Sequence, residues 1–500
     1  MQQTPRPAPF DIYLSELKTR LASVFSARYT DSHAVERGMP EGFLDEVMDA
    51  APLSVFIPER FGGRGQHVPE CLAMLEACSY ESLPLSLAMG INGALFLQPV
   101  SKYATQSTQQ YAFDRFVNHR ALGGLMITEP GYGSDALQMQ TRFSSHKDGY
   151  RVQGVKHWGG LTGQADFWLL TARGMTDRGD LERAINFFVW DSSLGGIEVE
   201  ERFRNLGLYM IPYGRNVIDT VVPEDRRLTP LSSGVRMLLD LLHRSRLQFP
   251  GMAMGYLRRL LDEAIDHTRT RLVGGRPLRD YDQVQDRLAE LQSSYTVCSA
   301  MCAYTSSVAG VDHDCSTEAL PANSIKSVIT DLMQSAAQSL LQLVGAKGYR
   351  LDHPAGRAVV DSRPFQIFEG SNDILYEQIS EAVLKGMTKL KESNLHRYLK
   401  TLHLTDRAAD YFHTVLDITP DRSLPQRKMV DLGRALGRII SLQMVLDLAD
   451  RGFRRDLADN AVAILRRDVT RLLASFSDAS TPLVVEDYQA DSGWLSFLPE

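Results

Sequence analysis

The stretch FQIFEGSNDILY, residues 365–376, sets a carboxylate, Glu369, directly behind Ile367 and Phe368 and then breaks with Gly370, Ser371 and Asn372. An acid among apolar neighbours is partly desolvated, which raises its pKa and suits it to proton abstraction near neutral pH. The plainer reading is a loop acid just ahead of a helix N-cap. A second stretch, MITEPGYGSD (126–135), runs from a strand into Thr128-Glu129-Pro130, after which Gly131 and Gly133 let the backbone turn and approach a ligand closely. With exposed backbone N–H groups, the hydroxyls of Thr128 and Ser134 could grip a flat heterocycle or a phosphate; a simple hairpin turn is equally compatible. The spacing is not GxGxxG and no βαβ unit follows, so a Rossmann nicotinamide site is a poor fit. In KHWGGLTGQADFWLL (156–170), Trp158 stands beside Gly159 and Gly160, either as one wall of a flat pocket or as a core tryptophan at a β-bulge. Cys298 and Cys302 lie one helical turn apart but have no second ligand pair nearby, so they read as packing and no metal site is expected.

The elements that must position these residues change texture twice. Residues 10–118 read mostly as helix, with apolar residues at three- and four-residue spacing in VPECLAMLEACSY (68–80). Segments 122–128, 149–156, 166–173, 185–190 and 217–228 are short, apolar or alternating, and bounded by Gly, Asp and Ser, which predicts strands. Helical periodicity returns at 233, where Pro250-Gly251 marks a bend or the crowded side of a packed helix, and recurs at 281–310, 323–344 and 373–390. A further helical segment follows 395 and ends in a polar, acidic tail expected to be loosely held. The predicted organisation is helical over 1–120, a small β domain over 121–230, a helical bundle over 231–395 and a helical extension over 396–500.

Composition narrows the function classes. The chain of 500 residues is 44% apolar and 23% charged with a net charge of -7, and it lacks a long Lys/Arg block, which argues against nucleic-acid binding. Five cysteines argue for a reducing compartment and against a disulfide framework. The first residues lack signal-peptide organisation, and no run of roughly twenty apolar residues stands out, so neither export nor a transmembrane segment is expected and the default location is cytoplasmic.

In that order and at those separations, MITEPGYGSD, KHWGG, RLVGGRPLRDYDQVQ and FEGSNDIL resemble the acyl-CoA dehydrogenase family of flavoproteins. FIPERFGGRG upstream and NLGLYMIPYGRNVIDTVVPEDRRL at the end of the strand region fit as well, and the resemblance covers roughly residues 10–395. FEGSNDIL is especially close to the very-long-chain members, which also carry a helical C-terminal extension. The resemblance implies a mainly α fold: an N-terminal helical domain, a central β-barrel-like domain and a C-terminal four-helix bundle, with FAD between the last two and reaching a neighbouring subunit. It implies that Ile127, Thr128, Gly133 and Ser134 face the flavin, with Trp158 beside its ring and Gly160 near N5. Arg271 would reach the pyrophosphate of the partner's FAD, Gln283 the adenosine side, and Gln342 and Gly345 that same cofactor. Ser371 and Asp373 would touch FAD after the catalytic stretch.

Glu369 matches the catalytic base. Some branches carry the base at the position of Ser245, where this chain has no acid. Ser134, Ser245, Arg246, Phe368 and Gly370 fall on the substrate side. The implied reaction is removal of an α-proton by Glu369 and of a β-hydride to flavin N5. That converts a saturated acyl thioester, on coenzyme A or an acyl-carrier protein, to the trans-2-enoyl thioester. Electrons would pass to an electron-transfer flavoprotein, and the protein would be a homodimer or homotetramer.

Three departures keep alternatives open. Gly160 replaces a hydroxyl residue usual near N5, and a glycine there opens a path for oxygen, so an acyl-CoA oxidase is the second reading. Gly274 stands where a phenylalanine usually touches the adenosine side, and Ala346 replaces a second glycine after Gln342; with Gly160, Gly274 motivates a third reading, a non-catalytic scaffold. In the extension, Arg451, Arg454, Arg455, Arg466 and Arg467 alternate with Asp450, Asp456, Asp459 and Asp468, which predicts a solvated or dimer-packing helix pair rather than a membrane surface.

Overall fold

The computed structural model describes residues 7–28, 37–40, 42–176, 178–421, 423–478, 480 and 482–499. Helices lead, a seven-stranded sheet follows, and helices take over again from Gly234. The strands are β1 (Gly123–Met126), β2 (Arg142–His146), β3 (Gly149–His157), β4 (Phe167–Met175), β5 (Leu181–Asp191), β6 (Ile197–Arg202) and β7 (Gly214–Val222). Their order is β1-β4-β2-β3-β7-β6, with β5 also paired to β4. Strand β4 is buried on both faces through Arg173, as its continuous apolar run requires, and β6 is an exposed, charged edge. Strands β2 and β6 were not expected, because RFSSH and IEVEER carry too few apolar residues to signal a half-buried strand. The strand expected at 217–228 runs from Gly214 to Val222 and stops at Pro223, which cannot donate to the ladder.

The region from 233 forms one helix, Gly234–Thr270, with Pro250 inside it. Pro250-Gly251 marks the crowded side of that helix. A Cβ on Gly251 would lie 3.0 Å from Leu72 Cα, and one on Gly255 would lie 2.0 Å from the Glu76 carbonyl oxygen. The small residues at i and i+4 let helix 68–81 lie against the backbone of the long helix. Helices Asp282–Val308, Ala319–Val344 and Asn372–Leu390 complete the bundle. Cys298 is buried there with its thiol against the Pro250 carbonyl, and burial pushes that thiol's pKa up.

The run Leu83–Tyr103 corrects one expectation. It is long and apolar enough to span a membrane, yet 94% of its most apolar window is buried inside the protein. Its apolar character serves the core: Gly93 opens a π-helical turn where Phe56 packs so closely that a Cβ would sit 2.4 Å from the ring.

The extension folds onto its own bundle. Helix Gln426–Asp450 meets helix 372–390 at backbone distance, since a Cβ on Gly433 would lie 1.9 Å from the Tyr376 carbonyl oxygen. Arg438 donates to Tyr376 Oη (2.7 Å) and Asp331 (3.3 Å), and Arg467 from helix Arg455–Ser477 pairs with Asp286 at 2.8 Å and with Glu290. Only part of the Arg/Asp alternation is solvated, as in Arg454–Asp456 and Arg455–Asp459. Arg467 instead fastens the extension to helix 282–308. Residues 482–499 form no α-helix, and Val484, Trp494 and Phe497 are exposed.

Candidate active site

Glu369 sits in a tight turn between the short 3₁₀ turn Arg363–Gln366 and helix 372–390. Its φ is +53° and that of Gly370 is +91°. A non-glycine residue in this region costs about 1–3 kcal/mol and persists only where its surroundings hold it. Three helices do so here. Arg246 Nε donates to the Glu369 carbonyl at 3.0 Å, and its Nη1 donates to Asn323 Oδ1 at 2.7 Å. Lys326 Nζ donates to the Gly370 carbonyl at 2.7 Å and to Asn372 Oδ1 at 2.9 Å. Asn372 Nδ2 in turn donates to the Ser327 carbonyl, Thr330 Oγ1 and Asp331 Oδ1. A Cβ on Gly370 would press Leu375 at 3.0 Å and Arg246 at 3.2 Å, so the turn needs glycine there.

The carboxyl group itself is unevenly partnered. Ser245 Oγ donates to Oε1 at 2.8 Å, while Oε2 is buried with no hydrogen bond among the described residues. Burial raises the Glu369 pKa, against the lowering effects of the Ser245 hydrogen bond and the Arg246 and Lys326 charges. The same burial lowers Lys326 to about 7. The net effect is a carboxylate whose proton affinity is increased, as a general base requires.

Glu369 opens into a cleft of about 260 Å³, counting its mouth, lined by apolar residues that include Leu75, Leu87, Ile91 and Met252 together with Ser245 and Gln248. Ile91 joins this cleft to the second wall, because its Cδ1 lies 2.7 Å from where a Gly160 Cβ would be. The space expected to stand open at Gly160 is therefore filled by a side chain from helix Leu83–Asn92. Phe368 lies half-buried beside Phe365 and Phe249, with ring centroids at 5.0 and 6.0 Å.

On the second wall, Trp158 also has a positive φ, +57°, and its side chain is 53% exposed, whereas Trp168 and Trp190 are buried. Its ring lies 4.5 Å from Phe203 and 6.1 Å from Tyr213. The His157 N–H donates to the Thr128 carbonyl at 2.8 Å, which ties the end of β3 to the residues after β1. Ile127 and Thr128 are half-buried, and Gly133 and Ser134 are exposed on the following loop. Beneath them Lys156 Nζ pairs with Glu129 Oε1 at 2.8 Å and donates to Thr171 and the Ile127 carbonyl. Glu129 accepts the Thr141 N–H at 3.0 Å, and Lys156 lowers its pKa against the raising effect of burial. A half-exposed indole on a strained backbone, next to an open loop with free backbone edges, fits the face of a flat heterocycle such as a flavin.

The remaining sequence-assigned residues do not meet Glu369 within one chain. Arg271 follows the end of helix 234–270, ~39 Å along its axis from Ser245 at 1.5 Å per residue. It is exposed, as are Gln283, Gln342, Gly345, Gly274 and Ala346. His267, which meets the Leu343 backbone and feels the Arg271 and Lys347 charges, brings the end of helix 319–344 to that remote end. Ser371 is half-buried and forms no side-chain cap, and Asp373 is held by Arg434 of the extension at 2.9 Å. Asp373 thus serves the docking of helix 426–450.

Sequence reasoning missed Lys326, Asn323 and the Glu129–Lys156 pair. A signal existed for the first two: ANSIKSVIT places Asn and Lys in a helix whose neighbours are apolar, where an unpaired charge would be costly.

Three family profiles match the chain. They describe the acyl-CoA dehydrogenase N-terminal domain over residues 18–119, the middle domain over 124–221 and the C-terminal domain over 232–384. An acyl-CoA dehydrogenase of Bacillus subtilis is 24% identical over 335 residues, covering 67% of this chain and 87% of that protein. The mitochondrial very long-chain specific acyl-CoA dehydrogenase of Mus musculus is 24% identical over 338 residues, covering 66% of this chain and 51% of that protein. The solved structure of an acyl-CoA dehydrogenase complexed with FAD from Bacillus anthracis superimposes with a TM-score of 0.73 at 15% identity. It covers 97% of this chain and 94% of that one, so the likeness in fold includes the extension.

Proposed function

The chain belongs to the acyl-CoA dehydrogenase family of FAD-dependent oxidoreductases, and from that premise we propose that it dehydrogenates a saturated acyl thioester between Cα and Cβ, with Glu369 as the base. The observation that carries the reading is the Glu369 carboxyl: desolvated, with one oxygen held by Ser245 and the other buried and unpaired among the described residues, lining an apolar cleft.

An α C–H of a thioester is weakly acidic, so the base must accept its proton while negative charge grows on the carbonyl oxygen. The Glu369 N–H has no acceptor among the described residues, and the bond from Arg246 to the Glu369 carbonyl fixes the peptide that follows it. As an oxyanion donor it would contribute about 3 kcal/mol to the enolate-like transition state. Ser245 keeps the free oxygen Oε2 turned toward the cleft, and Leu75, Leu87 and Met252 exclude water from it. Ile127, Thr128, Trp158 and Ser134 would hold FAD, which supplies the hydride acceptor when bound. Arg271, Gln283, Gln342 and Gly345 would serve the cofactor of a second subunit, which is why they stand exposed and remote from Glu369.

Ile91 in the space beside Gly160 favours a dehydrogenase over an oxidase, because it blocks the route that glycine would give oxygen. The test is turnover of the FAD-reconstituted protein with saturated acyl-CoAs, scored by mass spectrometry of the 2-enoyl product. An anaerobic reaction with an artificial electron acceptor is compared with peroxide release in air. Product only with the acceptor supports the reading; matching peroxide release would make the protein an oxidase, and no enoyl product under either condition would reject both.

A further inference from the structure

The cleft carries one polar feature for which α,β-dehydrogenation has no use. Gln248 lies three residues beyond Ser245 on helix 234–270, about 4.5 Å further along its axis, and lines the same cleft as Glu369. It is 2% exposed and its Nε2 donates at 2.7 Å to Oε1 of Gln98, which is 1% exposed. That single bond leaves Gln248 Oε1 and Gln98 Nε2 buried without partners among the described residues. An unpaired buried polar atom costs about 1–3 kcal/mol, and a wall shaped for a plain alkyl chain would be more stable with leucine at 248. With both amides turned over, the pair would still leave one donor and one acceptor.

The charges around the cleft restrict what can satisfy this amide. A substrate ammonium in the cleft would pair with the Glu369 carboxylate and occupy the base, and a substrate carboxylate would be repelled by Glu369 and by the unpaired amide oxygen. A hydroxyl is neutral and both donates and accepts, so it pairs with Gln248 in either amide orientation. We propose that Gln248 is a specificity residue that binds a hydroxyl group on the acyl chain beyond Cβ, making the substrate class a hydroxyacyl thioester. The proposal rests on reading the Glu369 cleft as the acyl site.

The experiment uses the FAD-loaded full chain and terminally hydroxylated acyl-CoAs of four and five carbons, each against its methyl-ended isostere. It measures kcat/KM, and by calorimetry the Kd of the corresponding enoyl-CoA products. Wild type is expected to favour the hydroxylated member about tenfold or more, and Gln248→Leu to abolish or reverse that ratio while turning over the methyl-ended chain at least as well. Gln248→Met serves as the second variant if the leucine protein does not fold. A wild-type preference for the methyl-ended chains, or a ratio unchanged in the variants, overturns the proposal and leaves the dehydrogenase reading intact. If no saturated thioester is turned over at all, the dehydrogenase reading fails, and the calorimetric ratio alone decides the role of Gln248.

Discussion

Around Glu369, the Glu369 and Gly370 carbonyls of the strained turn are gripped by two buried cations, Arg246 and Lys326, from different helices, and the structure reaches this arrangement within one chain. Around Trp158, an equally strained residue stands half-exposed, its loop neighbours Gly133 and Ser134 open and its remote companions Arg271 and Gln342 unengaged. Both walls store strain and both backbones are held within the chain, but the Glu369 carboxyl is enclosed whereas the Trp158 indole is left half-exposed. The contrast teaches that the proton-transfer half of the site is preorganised by the fold, whereas the half assigned to FAD is completed by what binds to it.

The most severe way to break that contrast is to remove the grip on the glutamate turn. Arg246→Leu leaves the Glu369 carbonyl and Asn323 without their partner and takes a buried cation from beside a buried carboxyl. Denaturant unfolding should show a loss of about 3–5 kcal/mol, the scale for breaking a buried charge pair. Trp158→Ala probes the other wall: FAD binding followed by fluorescence should weaken about tenfold or more, the scale of one aromatic stacking contact, while stability without FAD stays within ~0.5 kcal/mol. A comparable stability loss in both variants would erase the distinction between the walls.

Smaller changes sharpen it. Burial raises the Glu369 pKa, so the folded state holds that proton more tightly than the unfolded chain. Folding stability from this group is therefore full below the unfolded pKa and declines as pH rises through the folded one. Glu369→Gln, which mimics the protonated form, should raise the melting temperature at pH 8 and leave it unchanged at pH 4. Ser245→Ala removes a hydrogen bond that favours the charged form, so the acidic limb of the kcat–pH profile should move to higher pH, with little loss of rate on the alkaline side.

The sequence made the glutamate wall legible because its signals are local: an acid after two apolar residues, then a glycine and a helix start. Helices with strong periodicity, such as 234–270 and 319–344, were legible for the same reason. What the sequence hid was mostly tertiary. Lys326 and Asn323 act on the turn from a helix more than forty residues away, and Ile91 fills Gly160 from the N-terminal helices. Strands β2 and β6 lacked an apolar pattern because β6 is an edge and β2, paired to β4 only at Arg142 and Phe143, buries little besides Phe143. The Leu83–Tyr103 run, mostly apolar, gave composition without location; packing around it decides that it is core.

The account turns on Glu369 as the base, and one variant tests this most directly: Glu369→Gln, assayed for FAD content by absorbance and for enoyl-CoA formation from a saturated acyl-CoA. The account predicts a full complement of bound FAD with turnover reduced at least 10²-fold, the lower scale of general-base catalysis. Turnover at the wild-type rate with FAD bound would contradict it.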